Sequence, residues 1–234
     1  MPDVLTLPLR SVVTTTPLTR LIRLDLGARP FVFQAGQAAL IGTHGQTERR
    51  PYSIASSPDD AVRHRRIEFL VKVDAMGTVG PHLAVLTRGT RVDFEGPSGA
   101  FTLGGEPAPA YLFVAGGTGI SPLRSMLRHL IASASGTTIS VLYSARVPEE
   151  LAFRAELERL ARRHLIQLHL TVTGQSSAAW DGIRGRVAIE TLERALPSKD
   201  AVCYLCGPPA MVEDVPPLLR QLGVPSSHVR TEEW

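Results

Sequence analysis

The stretch AYLFVAGGTGISPLRSMLRHLI (Ala110–Ile131) decides how the second half of this chain folds. AYLFVA is a short apolar run of the kind that forms a strand buried on both faces. Ser121-Pro122 then reads as a helix start, with serine at the N-cap and proline at the first helical position. Leu123, Met126, Leu127, Leu130 and Ile131 follow at helical spacing and predict one buried stripe. Between strand and helix, Gly116, Gly117 and Gly119 permit a tight turn and close approach of a ligand to the backbone. A helix starting there aims free N–H groups and a positive dipole end at that ligand, so a pyrophosphate suits the site. The pattern is G-x-G-x-x-P, not the usual dinucleotide fingerprint G-x-G-x-x-G.

Downstream, strands and helices alternate. TTISVLYS (Thr137–Ser144), LIQLHLTVT (Leu165–Thr173) and AVCYLC (Ala201–Cys206) read as strands. PEELAFRAELERLARR (Pro148–Arg163) and VAIETLERAL (Val187–Leu196) read as helices. Such alternation implies a parallel sheet with helices on both faces. A final helix is expected in PPAMVEDVPPLLRQLG (Pro208–Gly223), where Pro216-Pro217 should break or kink it. After the second strand, Ser144 and Arg146 offer a hydroxyl and a cation where dinucleotide folds bind the ribose, which leans toward NADP over NAD.

Upstream the period changes to two. LTRLIRLDL (Leu18–Leu26), RIEFLVKV (Arg66–Val73) and TRVDFEG (Thr90–Gly96) alternate, and turn signals separate them at Gly27, Gly36, Gly42–Gly45, Pro58-Asp59-Asp60 and Gly89. Short strands without long helices predict a small antiparallel barrel. LGGEPAPA (Leu103–Ala110) marks the join. The chain therefore divides into a barrel over residues 1–104 and an α/β nucleotide-binding domain over 105–234.

With 234 residues, 44% hydrophobic and 20% charged, the composition is that of an ordinary globular protein. No apolar run reaches the ~20 residues of a membrane helix, and no signal pattern opens the chain, so a cytoplasmic location is expected. The net charge is +3, and Lys72 and Lys199 are the only lysines. Basic residues are not interleaved with aromatics as on a nucleic-acid platform. The two cysteines, Cys203 and Cys206, share one short strand. Strand positions three apart face opposite ways at ~10 Å, too far for a disulfide. The seven histidines lack ligand spacing, so no metal site is expected.

RRPYSIASSP (Arg49–Pro58), GPSGAF (Gly96–Phe101), GGTGISP (Gly116–Pro122), LCGPPAM (Leu205–Met211) and a C-terminal aromatic occur in that order. Together they resemble the ferredoxin–NADP reductase family over essentially the whole chain. The resemblance implies an FAD-binding antiparallel barrel followed by an NAD(P)-binding α/β domain. It implies an enzyme that takes hydride from NAD(P)H onto bound FAD and passes electrons to an external acceptor, such as a ferredoxin, a flavodoxin or an oxygenase component. A flavin subunit of a larger redox complex and a flavin-free binding module are the alternatives.

The implied roles fall on named positions. Arg50 would pair with the flavin pyrophosphate, and Tyr52, preceded by Pro51, would lie against the isoalloxazine. Ser53 would hydrogen-bond near flavin N5. In the segment after Val73, DAMGTVGPHL (Asp74–Leu83), the backbone of Gly77, Thr78 and Val79 would approach the flavin phosphates. Gly80 stands where the family usually has Ser or Thr. Gly117, Thr118 and Gly119 would meet the NAD(P) pyrophosphate. Cys206, Gly207 and Pro208 would lie near the nicotinamide, with Cys206 positioning and not attacking. Trp234 would cover the outer flavin face. Arg49, Arg63, Arg65 and Arg66 could form a basic face for an acidic redox partner.

Overall fold

The computed structural model describes residues 4–104, 108–133, 136–174 and 180–233. They form two units. The first comprises residues up to Leu103 together with Arg124–Ala132; the second comprises Gly104–Leu123 and the residues from Ser133 onward.

The first unit holds β1 (Val4–Thr16), β2 (Thr19–Asp25), β3 (Ala38–Thr43), β4 (Arg50–Ser53), the short helix α1 (Pro58–His64), β5 (Arg66–Lys72) and β6 (Arg91–Ser98). The strands order as β4-β3-β6-β1-β2-β5, and every pairing is antiparallel. An antiparallel bridge from Ile54 to Phe69 joins the two edge strands and closes the barrel. Alternation places Ile22, Leu24, Ile67, Phe69, Val71, Val92 and Phe94 inward, as the period of two demands. Pro58-Asp59-Asp60, expected as a turn, instead starts α1. Ser57 caps it by accepting the Asp60 N–H at 3.1 Å, and Pro58 occupies the first turn.

The second unit holds β7 (Ala110–Gly116), β8 (Thr138–Ala145), β9 (Gln167–Val172), β10 (Ile183–Arg184), β11 (Val202–Gly207) and β12 (Val229–Glu233). They form a parallel sheet ordered β10-β9-β8-β7-β11-β12. The helices are α2 (Ile120–Ala132), α3 (Arg154–Arg162), α4 (Ile189–Ala195) and α5 (Pro209–Gln221). The strand order runs outward from β7 in both directions, so β7 and β11 flank the switch point where ligands bind in open α/β sheets.

Three local expectations are corrected. Ser121 is not an N-cap: Gly117–Gly119 form a 3-10 turn that runs straight into α2 at Ile120, leaving Ser121 buried inside the helix. Gly117 enters that turn at φ 55°, a conformation glycine tolerates best. The helix expected over Pro148–Arg163 is confined to Arg154–Arg162. Leu151 and Ala152 are drawn into the core, the Ala152 N–H donates to the Tyr143 hydroxyl at 3.1 Å, and Phe153 turns left-handed at φ 60°. Pro216 and Pro217 do not break α5, which continues through both. Val215 and Leu219 are fully buried against the sheet, and this packing outweighs the two missing amide donors.

The grouping of Arg124–Ala132 with the barrel has a cause in charge. Arg124 and Glu68 are both buried and lie 3.0 Å apart, and the same guanidinium donates to the Ala55 carbonyl at 2.6 Å. Glu68 also accepts from Arg23 at 2.8 Å and Arg66 at 3.1 Å. Burial pushes the Glu68 carboxyl up, but the Arg124 charge and the Arg23 bond bring it below the usual range. Ser125 donates to the Ser56 carbonyl at 2.7 Å, and Arg128 grips Asp60 through two nitrogens.

Candidate functional site

On the barrel, β4 carries the RPYS segment beside β3, with Tyr52 opposite Ala39 and Ser53 opposite Ala38. Arg50 is exposed and pairs with Glu48, whose carboxylate lies 2.7 Å from one guanidinium nitrogen. Pro51 is exposed beside it and Ser53 is buried. The half-buried Tyr52 ring stacks on His82, centroids 5.8 Å apart and planes 20° from parallel, and its hydroxyl lies 2.8 Å from His82 Nε2. Burial raises the Tyr52 phenol above its ordinary pKa, opposed by the Arg50 charge.

The segment after β5 is built around Asp74. Its carboxylate accepts the N–H groups of Met76 at 2.9 Å and Thr78 at 2.8 Å, and its carbonyl accepts Gly77 N–H at 3.0 Å. The amides of Gly77 and Thr78 are therefore engaged within the turn, whereas the Val79 amide lies outside this network. Gly77 holds φ 83°, where a side chain would be strained. Val73 is buried and extends the sheet by donating to the Leu18 carbonyl at 2.9 Å.

In the second unit the glycine loop after β7 and the CGPP loop after β11 abut. A Cβ on Gly119 would stand 2.1 Å from the Cys206 carbonyl oxygen, and one on Gly116 would stand 2.7 Å from Pro208 Cδ. A Cβ on Gly117 would meet nothing within 4 Å. That open cradle, with α2 beginning just beyond it, is where a pyrophosphate fits. Thr118 is half-buried on the same turn. Tyr143, fully buried in β8, donates its hydroxyl to the Gly117 carbonyl at 2.9 Å. Sequence reading placed Tyr143 only within a strand and counted His82 among seven histidines without ligand spacing. Nothing local marks either one, because each bond depends on which strands become neighbours.

Cys203 and Cys206 are both buried free thiols. Cys206 and Gly207 end β11, with Cys206 Sγ 4.0 Å from a Glu232 carboxylate oxygen. Burial first, and the Glu232 charge second, push the Cys206 thiol far above its ordinary range, which suits packing and not attack. Pro208 is exposed just beyond. Ser144 is buried opposite Gly116 in the neighbouring strand. Arg146 is exposed, and Glu150 clasps it through two bonds of 2.9 and 3.1 Å. Trp234 lies outside the described residues. Of the basic face, Arg49 pairs with Glu95 at 3.2 Å and Arg66 with Glu68, leaving Arg63 and Arg65 exposed at the end of α1. Among the described residues, no cluster of His, Cys, Asp or Glu could hold a metal ion, and no helix is long and apolar enough to cross a membrane.

The sequence matches the oxidoreductase FAD-binding domain over residues 6–103 and the oxidoreductase NAD-binding domain over residues 113–216. It is 37% identical over 217 residues to ferredoxin–NADP reductase B of Sorangium cellulosum, covering 88% of this chain and 87% of that protein. The chain belongs to the ferredoxin–NADP reductase family. It is also 29% identical to the ferredoxin–NAD(P)(+) reductase component of the naphthalene 1,2-dioxygenase system of Pseudomonas putida, covering 96% of this chain and 67% of that one. Among solved structures, a ferredoxin NADP+ reductase from Neisseria gonorrhoeae with bound FAD and NADP shares the fold at TM-score 0.81. Its identity is 20%, with 100% of this chain and 99% of that chain covered. This member of the family is an oxidoreductase with an FAD-binding barrel and a pyridine-nucleotide-binding sheet, and it serves electron transfer between NAD(P)H and flavin.

Proposed function

We propose that this reductase draws electrons preferentially from NADPH and delivers them through FAD to a separate redox protein, a ferredoxin or the ferredoxin-like component of an oxygenase. The observation that carries the reading is the junction of the Gly117–Gly119 and Cys206–Pro208 loops at the sheet's switch point, with Tyr52 and Arg50 presented by the barrel. When bound, the flavin supplies hydride acceptance and one-electron release. The chain's own groups bind and orient. Gly117 leaves room for the nucleotide pyrophosphate, while Tyr143 holds the loop carbonyl. Arg50 offers a cation to the flavin phosphates in competition with Glu48. Cys206 shapes the wall beside Gly207. The names of the Sorangium and Pseudomonas relatives support the acceptor class. Only two cysteines occur in these 234 residues, short of the four that hold a ferredoxin-type iron–sulfur cluster.

Arg146 is the cation offered to the 2′-phosphate of NADPH, and Glu150 tempers it. The deciding experiment is anaerobic stopped flow of the FAD-loaded protein, following absorbance near ~450 nm with each nucleotide. Faster bleaching by NADPH supports the proposal, and Glu150→Gln should widen the margin. Equal or faster bleaching by NADH would overturn the preference. A purified protein that binds flavin but is bleached by neither would overturn the hydride role.

A further inference from the structure

His82 belongs to no motif, yet its surroundings are unusually specified. Its ring is buried, stacked on Tyr52 and bonded to the Tyr52 hydroxyl through Nε2 at 2.8 Å. Its backbone is anchored on both sides. The His82 carbonyl accepts Thr43 Oγ1 at 3.1 Å from the end of β3, and the following Leu83 is fully buried in the barrel core. Gly80 lies against the opposite edge of the ring, where a Cβ would stand 3.5 Å from Nδ1 and Cε1. Gly80 holds φ 130°, so backbone alone covers that edge.

The other ring nitrogen, Nδ1, is buried and has no hydrogen-bond partner. An unpartnered buried polar atom costs stability, and a phenyl ring would fill the same space without that cost. A histidine here is therefore a poor choice for packing alone. Its one polar gain is the bond to Tyr52. Burial and the Arg50 charge, against the opposing charge of Glu48, hold the imidazole below its ordinary pKa range, which favours the neutral form that can accept at one nitrogen.

We infer that His82 is a positioning residue of the flavin site: by lying near-parallel beside Tyr52 and holding its hydroxyl, it sets the tilt at which Tyr52 meets the isoalloxazine. The inference rests on the proposed contact of Tyr52 with the flavin.

Side-chain geometry provides a discriminating test. A glutamine amide reaches where Nε2 lies, an asparagine amide reaches only where Nδ1 lies, and phenylalanine keeps the ring without either nitrogen. The readouts are the FAD dissociation constant, the visible circular dichroism of bound flavin and the melting temperature of the flavin-free chain. His82→Phe and His82→Asn should weaken FAD binding about fivefold to twentyfold and alter the dichroism. His82→Gln should restore both to within about twofold of the parent. Tyr52→Phe should match His82→Phe, and the double variant should be no worse than either. If His82→Phe fails to fold, Tyr52→Phe deletes the same bond from its other end and carries the comparison with His82→Gln. Parental affinity and dichroism in His82→Phe, or additive losses in the double variant, would overturn the inference alone. A parent chain that binds no flavin would overturn the Tyr52 assignment and this inference with it.

Discussion

Tyr143 and Gly119 show how much of the proposed nucleotide site depends on single atoms. The Tyr143 hydroxyl donates to Gly117 and accepts from Ala152, so one buried oxygen ties the phosphate loop to the segment following β8. Removing it in Tyr143→Phe strands a carbonyl and an amide in the interior. The expected loss is about 1–2 kcal/mol of stability, with weaker nucleotide binding and unchanged FAD affinity. Chemical denaturation and titration calorimetry with NADPH would check the two parts. Gly119→Ala is expected to be harsher, because its Cβ would lie 2.1 Å from the rigid Cys206 carbonyl. One of the two loops must then move, and nucleotide-dependent flavin bleaching should fall at least tenfold even where the chain still melts cooperatively. Bleaching at the parental rate would show that the loops are not held as described.

At the scale of elements, α2 is made of two chemically different halves. Its start follows the glycine loop, while Arg124, Ser125 and Arg128 are bound to the β4–α1 segment, α1 and β5 of the barrel. The buried Arg124–Glu68 pair is the centre of this attachment. Glu68→Gln removes the carboxylate charge 3.0 Å from the buried Arg124 guanidinium and weakens the hold on Arg23 and Arg66. An ion pair broken from one side costs about 3–5 kcal/mol, whereas replacing both partners by apolar residues of similar volume is close to neutral. The single variant should therefore lower the melting temperature much more than Glu68→Leu combined with Arg124→Met. Equal losses would show that the pair acts mainly through packing. The period of the α2 stripe is legible from sequence, but the sequence reading assigned no role to its arginines. Their partners lie 56 to 69 residues away, and no local pattern specifies them.

For the whole molecule, acid sensitivity should be uneven. Among the described residues, Asp60, Glu68 and Asp93 are carboxylates held below their ordinary range, and these three lie in the barrel unit. Asp60 sits at about 2, since the bond and charge of Arg128 outweigh its burial. A depressed carboxylate contributes stability above its unfolded value near ~4, and that contribution disappears as pH falls through the folded value. Acidification from about pH 4 to 2 should thus weaken the barrel first. His82 and His169, one in each unit, are both held below the usual imidazole value, so their contribution is lost as pH falls below ~6.5, ahead of the carboxylate range. In a Trp234→Phe background, flavin release should precede any change in Trp180 emission, because Trp180 lies in the parallel-sheet unit. Simultaneous changes would show that the units unfold as one.

What the sequence determined by itself was local or periodic. The switch from period two to strand–helix alternation separates barrel from parallel sheet, because side-chain spacing along a strand or helix is set by backbone geometry alone. The glycines at 117 and 119 and the order of RPYS, GGTG and CGPP were legible because each is a contiguous run with its own backbone requirement. The tertiary structure alone decided the rest. Whether Ser121 capped a helix depended on Gly117 starting the turn early, and whether Pro216-Pro217 broke α5 depended on the burial of Val215 and Leu219. The partners of Tyr52, Gly117 and Glu68 followed from strand order, register and side-chain reach. Such contacts arise only when distant segments meet, and nothing in the spacing of either segment encodes the atom that the other will present.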